Sequence, residues 1–243
     1  MIIYSKEKTH IDFYNDANAF YDLKEYQKSL SILEISISLN PSFLYAYELR
    51  GILHSNIKKF DDAILDFNKA YELSTDIIDK MRIISNRAIA YNFKGLHTKA
   101  ISDFTEIINF DNKNYKAFLG RGLAYFDSGE FTKSIEDNLQ ALKLNPNNVF
   151  AYNNIATSYD RLKQKDLALY YFFKALIINA DNELVLYNIA CLYSEIKEIK
   201  KSILYLDKAI NAGWNNIEHI NSNKSFDNIK DLKEFKELIK KIK

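Results

Sequence analysis

The chain has one cysteine, two prolines and six glycines in 243 residues. A lone Cys191 excludes an internal disulfide and any cysteine-based metal cluster. So little proline and glycine leaves few places where a helix is forced to stop, which suits an all-helical protein. Charge of one sign is missing as well. Thirty-three basic against thirty-two acidic residues leave a net +1, too little to draw nucleic acid or an anionic membrane from a distance. No apolar run is long enough to span a bilayer. The opening Met-Ile-Ile-Tyr-Ser-Lys has neither the basic start nor the apolar core of a signal peptide. These absences set the expectation of a cytoplasmic chain. What is present, 47% apolar and 14% aromatic content, is ample for a packed core and excludes disorder.

The residues that are there repeat. Stepping along the chain from Gly122 by 34 reaches Ala88, Ala156 and Ala190, and from Ser134 it reaches Ala100, Ala168 and Ser202. One step of 37 leads back to Gly51 and Ala63, and a further 34 to Ala17 and Ser29. Rings or large side chains follow at fixed offsets: Phe20, His54, Tyr91, Tyr125, Tyr159 and Tyr193 after the first marker, Leu33, Phe67, Phe104, Asn138, Phe172 and Leu206 after the second. Two helices approach closely only where a side chain is minimal, and a ring one turn away fills the adjacent groove. Pro41 and Pro146 both follow an asparagine that closes a second helix, where proline forbids continuation.

A 34-residue helix–turn–helix unit with small, aromatic and proline positions in this order resembles the tetratricopeptide repeat. The resemblance covers six units, 9–41, 42–75, 76–111, 112–146, 147–180 and 181–216, after a lead of 1–8 and before capping helices in 217–243. It implies a right-handed superhelical solenoid of antiparallel helix pairs. The longer step predicts an extended third-unit first helix, Ile77–Phe93, capped by Asp76. Beyond Gly213 and Trp214, a short helix at Ile217–Ile220 and an amphipathic helix from Asn228 are expected. The latter carries Ile229, Leu232, Phe235, Ile239 and Ile242 on one face and shields the last unit's apolar side. This ending resembles the closing repeat of many bacterial tetratricopeptide proteins.

One pattern belongs to this chain. Arg50, Arg87 and Arg121 precede the first marker in the three units where Asp66, Asp103 and Asp137 follow the second. The other units hold Asp16 and Ile32, Ile155 and Tyr171, Ile189 and Tyr205 at those places. A ladder of arginines gripping an acidic ligand is one reading. Co-occurrence favours the other, partly buried ion pairs tying helix to helix, because an unpaired buried guanidinium is costly.

By the family's phase, the concave inner face carries Tyr14, Asn18, Tyr45, Glu48, Arg82, Asn86, Lys116, Asn153, Asn154, Tyr187 and Asn188. Asparagine offers donor and acceptor to a peptide backbone, and tyrosine adds apolar area with a hydroxyl; solvated groove residues are the bland alternative. The clamp that holds chaperone tails in some family members is absent. Asn86 and Lys116 match a fragment of it, while Glu48, Ile52 and Gly120 stand where lysine, asparagine and arginine belong. His10, His54, His97 and His219 lack metal-ligand spacing. Cys191 has no histidine in its frame to activate it, and Gly120-Arg121-Gly122 falls within a helix, with Tyr125 in place of a third glycine. No catalytic residue, cofactor or metal is therefore expected. The resemblance implies a scaffold or adaptor holding an extended peptide or partner helix. An assembly or secretion chaperone is the first alternative. RNA binding ranks lower because the chain is nearly neutral.

Overall fold

A computed structural model describes residues 8–242. The lead read over 1–8 lies outside them except for Lys8. The described residues form fourteen α-helices and one 3-10 turn joined by short turns, with no strand among them. The chain divides into two compact units, one ending at Lys113 and the other beginning at Asn114.

The first unit holds three helix pairs: α1 (His10–Asp22) with α2 (Tyr26–Leu39), α3 (Leu44–Asn56) with α4 (Phe60–Leu73), and α5 (Ile77–Phe93) with α6 (His97–Phe110). Each helix packs on the next, and first helices also touch one another, α1 on α3 and α3 on α5. The second unit repeats the arrangement. It pairs α7 (Tyr115–Asp127) with α8 (Phe131–Leu144), α9 (Val149–Arg161) with α10 (Lys165–Ile178), and α11 (Glu183–Glu195) with α12 (Ile199–Asn211). The first helices α7, α9 and α11 again touch in order.

Local chemistry explains the boundaries. Thr9 and Asp12 cap α1 reciprocally, and the Asp76 carboxylate accepts from the backbone N–H groups of Ile78 and Asp79. Asn114, Asn148 and Asn182, at 34-residue intervals, each accept from an N–H in the first turn of α7, α9 and α11. These bonds satisfy amides left open at a helix start. Within every pair the chain reverses through one residue of positive φ: Lys24, Lys58, Gly95, Gly129, Lys163 and Lys197. Four of the six are lysines, although this conformation crowds a Cβ.

All the small marker residues are buried. Ser29 Oγ donates to the Ala17 carbonyl at 2.7 Å, and Ser202 Oγ to the Ala190 carbonyl at 2.8 Å, so two serine markers bond directly to their partner markers. A Cβ on Gly122 would come within 2.6 Å of Asn138 Nδ2 and 3.3 Å of the Ser134 carbonyl.

The C-terminal segment differs from the expected amphipathic helix. After α13 (Ile217–Ser222) come a 3-10 turn (Lys224–Phe226) and only a short α14 (Lys233–Ile239). Leu232 is the extended residue preceding α14 and is 37% exposed, while Leu238 joins Ile229, Phe235 and Ile242 in the core. Seven residues are too few for a helix to persist alone. The segment is held by packing, α14 on α12 and the 3-10 turn on α11.

Candidate partner-binding surfaces

The arginine-bearing positions are engaged within their own helix pairs, and Arg87 Nη1 also donates to Asn68 Oδ1 on the preceding α4 at 2.8 Å. Arg50 Nη2 lies 2.7 Å from Asp66, Arg87 Nη2 2.8 Å from Asp103 and Arg121 Nε 2.7 Å from Asp137. Each guanidinium offers two nitrogens to its carboxylate, the fork geometry that suits arginine. Burial works against the charge of Arg87, but the Asp103 contact outweighs it, so its pKa rises. His54 Nδ1 also stands 2.9 Å from Asp66. In the fifth and sixth pairs Ile155 and Ile189 are fully buried. There Tyr171 stacks on Tyr159 and Tyr205 on Tyr193, each with ring centres 5.5 Å apart.

In the first unit, the inner positions Tyr14, Asn18, Tyr45, Glu48, Arg82 and Asn86 line one cleft of about 470 Å³. They come from α1, α3 and α5, whose side-by-side packing brings residues roughly one repeat apart into contact. Arg82 grips Glu48 through Nε at 2.8 Å and Nη2 at 2.7 Å, and reaches Asp79 through Nη1 at 2.5 Å. Tyr45 donates its hydroxyl to Asp79 at 3.1 Å, which raises the phenol's pKa. Glu48, placed by its phase on an open groove wall, is buried at 6% exposure and committed to Arg82. Asp79 escapes the inner-face pattern because it lies in the extra first turn of α5.

The second unit departs further from the expected inner face. Lys116 is exposed on α7. Asn188 Nδ2 donates to Asn153 Oδ1 at 2.9 Å, bridging α11 and α9. Asn154 turns instead to α8, donating to Asn138 at 3.3 Å. Tyr187, expected in the groove, is 2% exposed, with its ring 4.2 Å from Trp214 and its hydroxyl accepting from Asn223 at 2.8 Å. The last pair has no successor, so the C-terminal segment covers this ring.

A cleft of about 550 Å³ remains beside it, bordered by Asn188, Arg161, Glu195, His219 and Lys224. Lys165 pairs with both Asp160 and Glu195. Burial alone would raise the Glu195 pKa, but the Lys165 and Ser225 hydrogen bonds outweigh it and hold it below the ordinary carboxylate range. Arg161 lies over the Phe126 ring at 5.8 Å. The signal for this rim was the last turn of successive first helices, where Arg161 and Glu195 stand 34 apart. Burial pushes the Cys191 thiol up to about 12, the reverse of what a nucleophile requires. Among the described residues, no cluster of His, Cys, Asp and Glu could hold a metal ion, and no helix is long and apolar enough to cross a membrane.

Family models for the tetratricopeptide repeat match residues 44–77 and 185–212, and a further TPR repeat model matches 122–163. The chain is a tetratricopeptide-repeat protein. Solved structures agree on the fold. PilW, a type IV pilus biogenesis factor, is 16% identical with a TM-score of 0.74, covering 90% of this chain and 97% of its own. YrrB, a TPR protein with an unusual peptide-binding site, is 17% identical with a TM-score of 0.59, covering 74% and 91%. A UDP-N-acetylglucosamine–peptide N-acetylglucosaminyltransferase of Giardia intestinalis is 41% identical over 64 residues. That match spans 26% of this chain and 4% of the enzyme. The TPR fold is generally a non-catalytic scaffold for protein interaction.

Proposed function

We propose that this chain is a non-catalytic scaffold or adaptor that holds an extended peptide or partner helix against its first helices, with the first unit's cleft as the principal seat. The observation behind this is the convergence of six inner positions from three successive first helices on that one cleft. Tyr14 and Tyr45 offer flat apolar area, and Asn18 and Asn86 offer donors and acceptors suited to a peptide backbone. Glu48, Asp79 and Arg82 together carry one net negative charge, which favours a partner presenting a lysine or arginine beside apolar residues.

The test places a photo-crosslinking amino acid at Asn18, at Asn86 or at Ser31, an exposed position on α2. In the source cell the two cleft positions should capture the same partner and Ser31 should not. Capture from Ser31 alone would contradict the proposal. A partner that is captured but released when it joins a larger assembly would instead favour the chaperone alternative.

A further inference from the structure

The second helices show an exception that the inner-face reading does not use. One residue before the small marker, they carry Lys28, Asp62, Lys99, Lys133 and Lys201, but α10 has Leu167. Nine residues after it they carry Ser38, Glu72, Asn109, Lys143 and Asn211, but α10 has Ile177. Leu167 is 42% exposed, Tyr170 53% and Ile177 77%. Their spacing of three and seven residues puts them on one helical face. At the Tyr170 position α4 and α12 also carry exposed leucines, Leu65 and Leu204, but only α10 joins such a residue to apolar ones at the other two positions, and large exposed apolar patches mark interaction sites.

Beside this face, α8 and α10 border a groove of about 500 Å³ whose walls include Leu139, Leu142, Tyr170 and Tyr171. Tyr171 is fixed by its stack on Tyr159 and by an edge contact with Tyr170 at 5.2 Å, so the wall is preformed. The rim carries Lys143, Lys174 and a single carboxylate, Glu136. Lys174 lies over the Tyr170 ring at 5.3 Å and Lys143 donates to Gln140 at 3.3 Å. Neither lysine has a carboxylate partner among the described residues.

We propose that this outer groove docks an amphipathic helix of another protein, one that bears acidic residues beside its apolar stripe. A helix laid in a groove matches apolar anchors spaced at i, i+3 and i+7, and the acidic residues supply the counter-charges that Lys143 and Lys174 lack. A second copy of this face would offer one carboxylate, Glu136, against two lysines.

The experiment selects a displayed library of helical peptides on the whole chain and depletes it on the variant Leu167→Lys, Tyr170→Ser, Ile177→Asn. Those replacements are residues that other second helices already carry at the same positions, so the variant is expected to fold, as circular dichroism would verify. Surviving peptides should carry an apolar stripe with Glu or Asp alongside. Anisotropy should show binding weakened about tenfold or more by the triple variant and by Lys143→Glu with Lys174→Glu, and unchanged by Tyr14→Ala with Tyr45→Ala. Peptides without acidic residues, or none surviving depletion, would overturn the proposal. So would a dimer in sedimentation that the triple variant dissolves, or flotation with phosphatidylserine vesicles that it abolishes.

Discussion

The second to fourth helix pairs and the fifth and sixth fasten the same junction with opposite chemistry. In the former an arginine on the first helix holds an aspartate on the second; in the latter a buried isoleucine stands at the arginine position and two tyrosines stack. The backbone scarcely distinguishes them, since turn conformations and buried small residues recur in every pair. This position is therefore specified by mutual fit of two side chains rather than by polarity. A buried ion pair and an apolar pair of similar volume can be nearly equal in stability, whereas half of an ion pair cannot stand alone.

The comparison breaks most sharply when one partner is removed. Asp103→Ala leaves Arg87 with the Asn68 amide but no carboxylate at a largely buried site, with an expected loss of about 3–5 kcal/mol. Denaturant unfolding should register it, and hydrogen exchange should localise it to α5 and α6. Tyr205→Ala, the matching deletion in a tyrosine pair, is expected to cost about 3 kcal/mol by removing ring packing. Adding salt should leave this second loss unchanged. An equal salt response in both variants would argue against the distinction.

Smaller changes sharpen it. Gly122→Ala pushes a methyl toward Asn138 and the Ser134 carbonyl, an overpacking expected to cost about 1–3 kcal/mol. A melting temperature that rises instead would show that the two helices can separate there. Lys163→Gly relieves a positive-φ lysine in the turn between α9 and α10 and is expected to stabilise by about 1 kcal/mol. The same change at Lys174, inside α10, should destabilise by a similar amount, about 1 kcal/mol.

These residues also mark how far the sequence could be read. The small markers, the lengthened α5 and the spacing between arginine and aspartate are local or periodic features, visible to anyone counting along the chain. The turn lysines are not, because a lysine in left-handed backbone has the same composition as a lysine on a solvated face. Tyr187 shows a second limit. Its phase matches that of Tyr14 and Glu48, but its surroundings are decided by Trp214 and Asn223 in a segment that breaks the period. The contact of Glu48 with Arg82 was written at a 34-residue separation. It acquires meaning only once α3 and α5 lie side by side.

In the proposed function the arginines fasten helices while the inner walls hold the partner. The variant Arg87→Ile with Asp103→Tyr, which writes the fifth pair's chemistry into the third, tests it most directly when unfolding and partner capture from Asn18 are measured together. The account predicts stability within about 1 kcal/mol of the parent and undiminished crosslinking. A stable variant that no longer captures the partner would contradict it, and would return the arginines to the role of ligand-gripping residues.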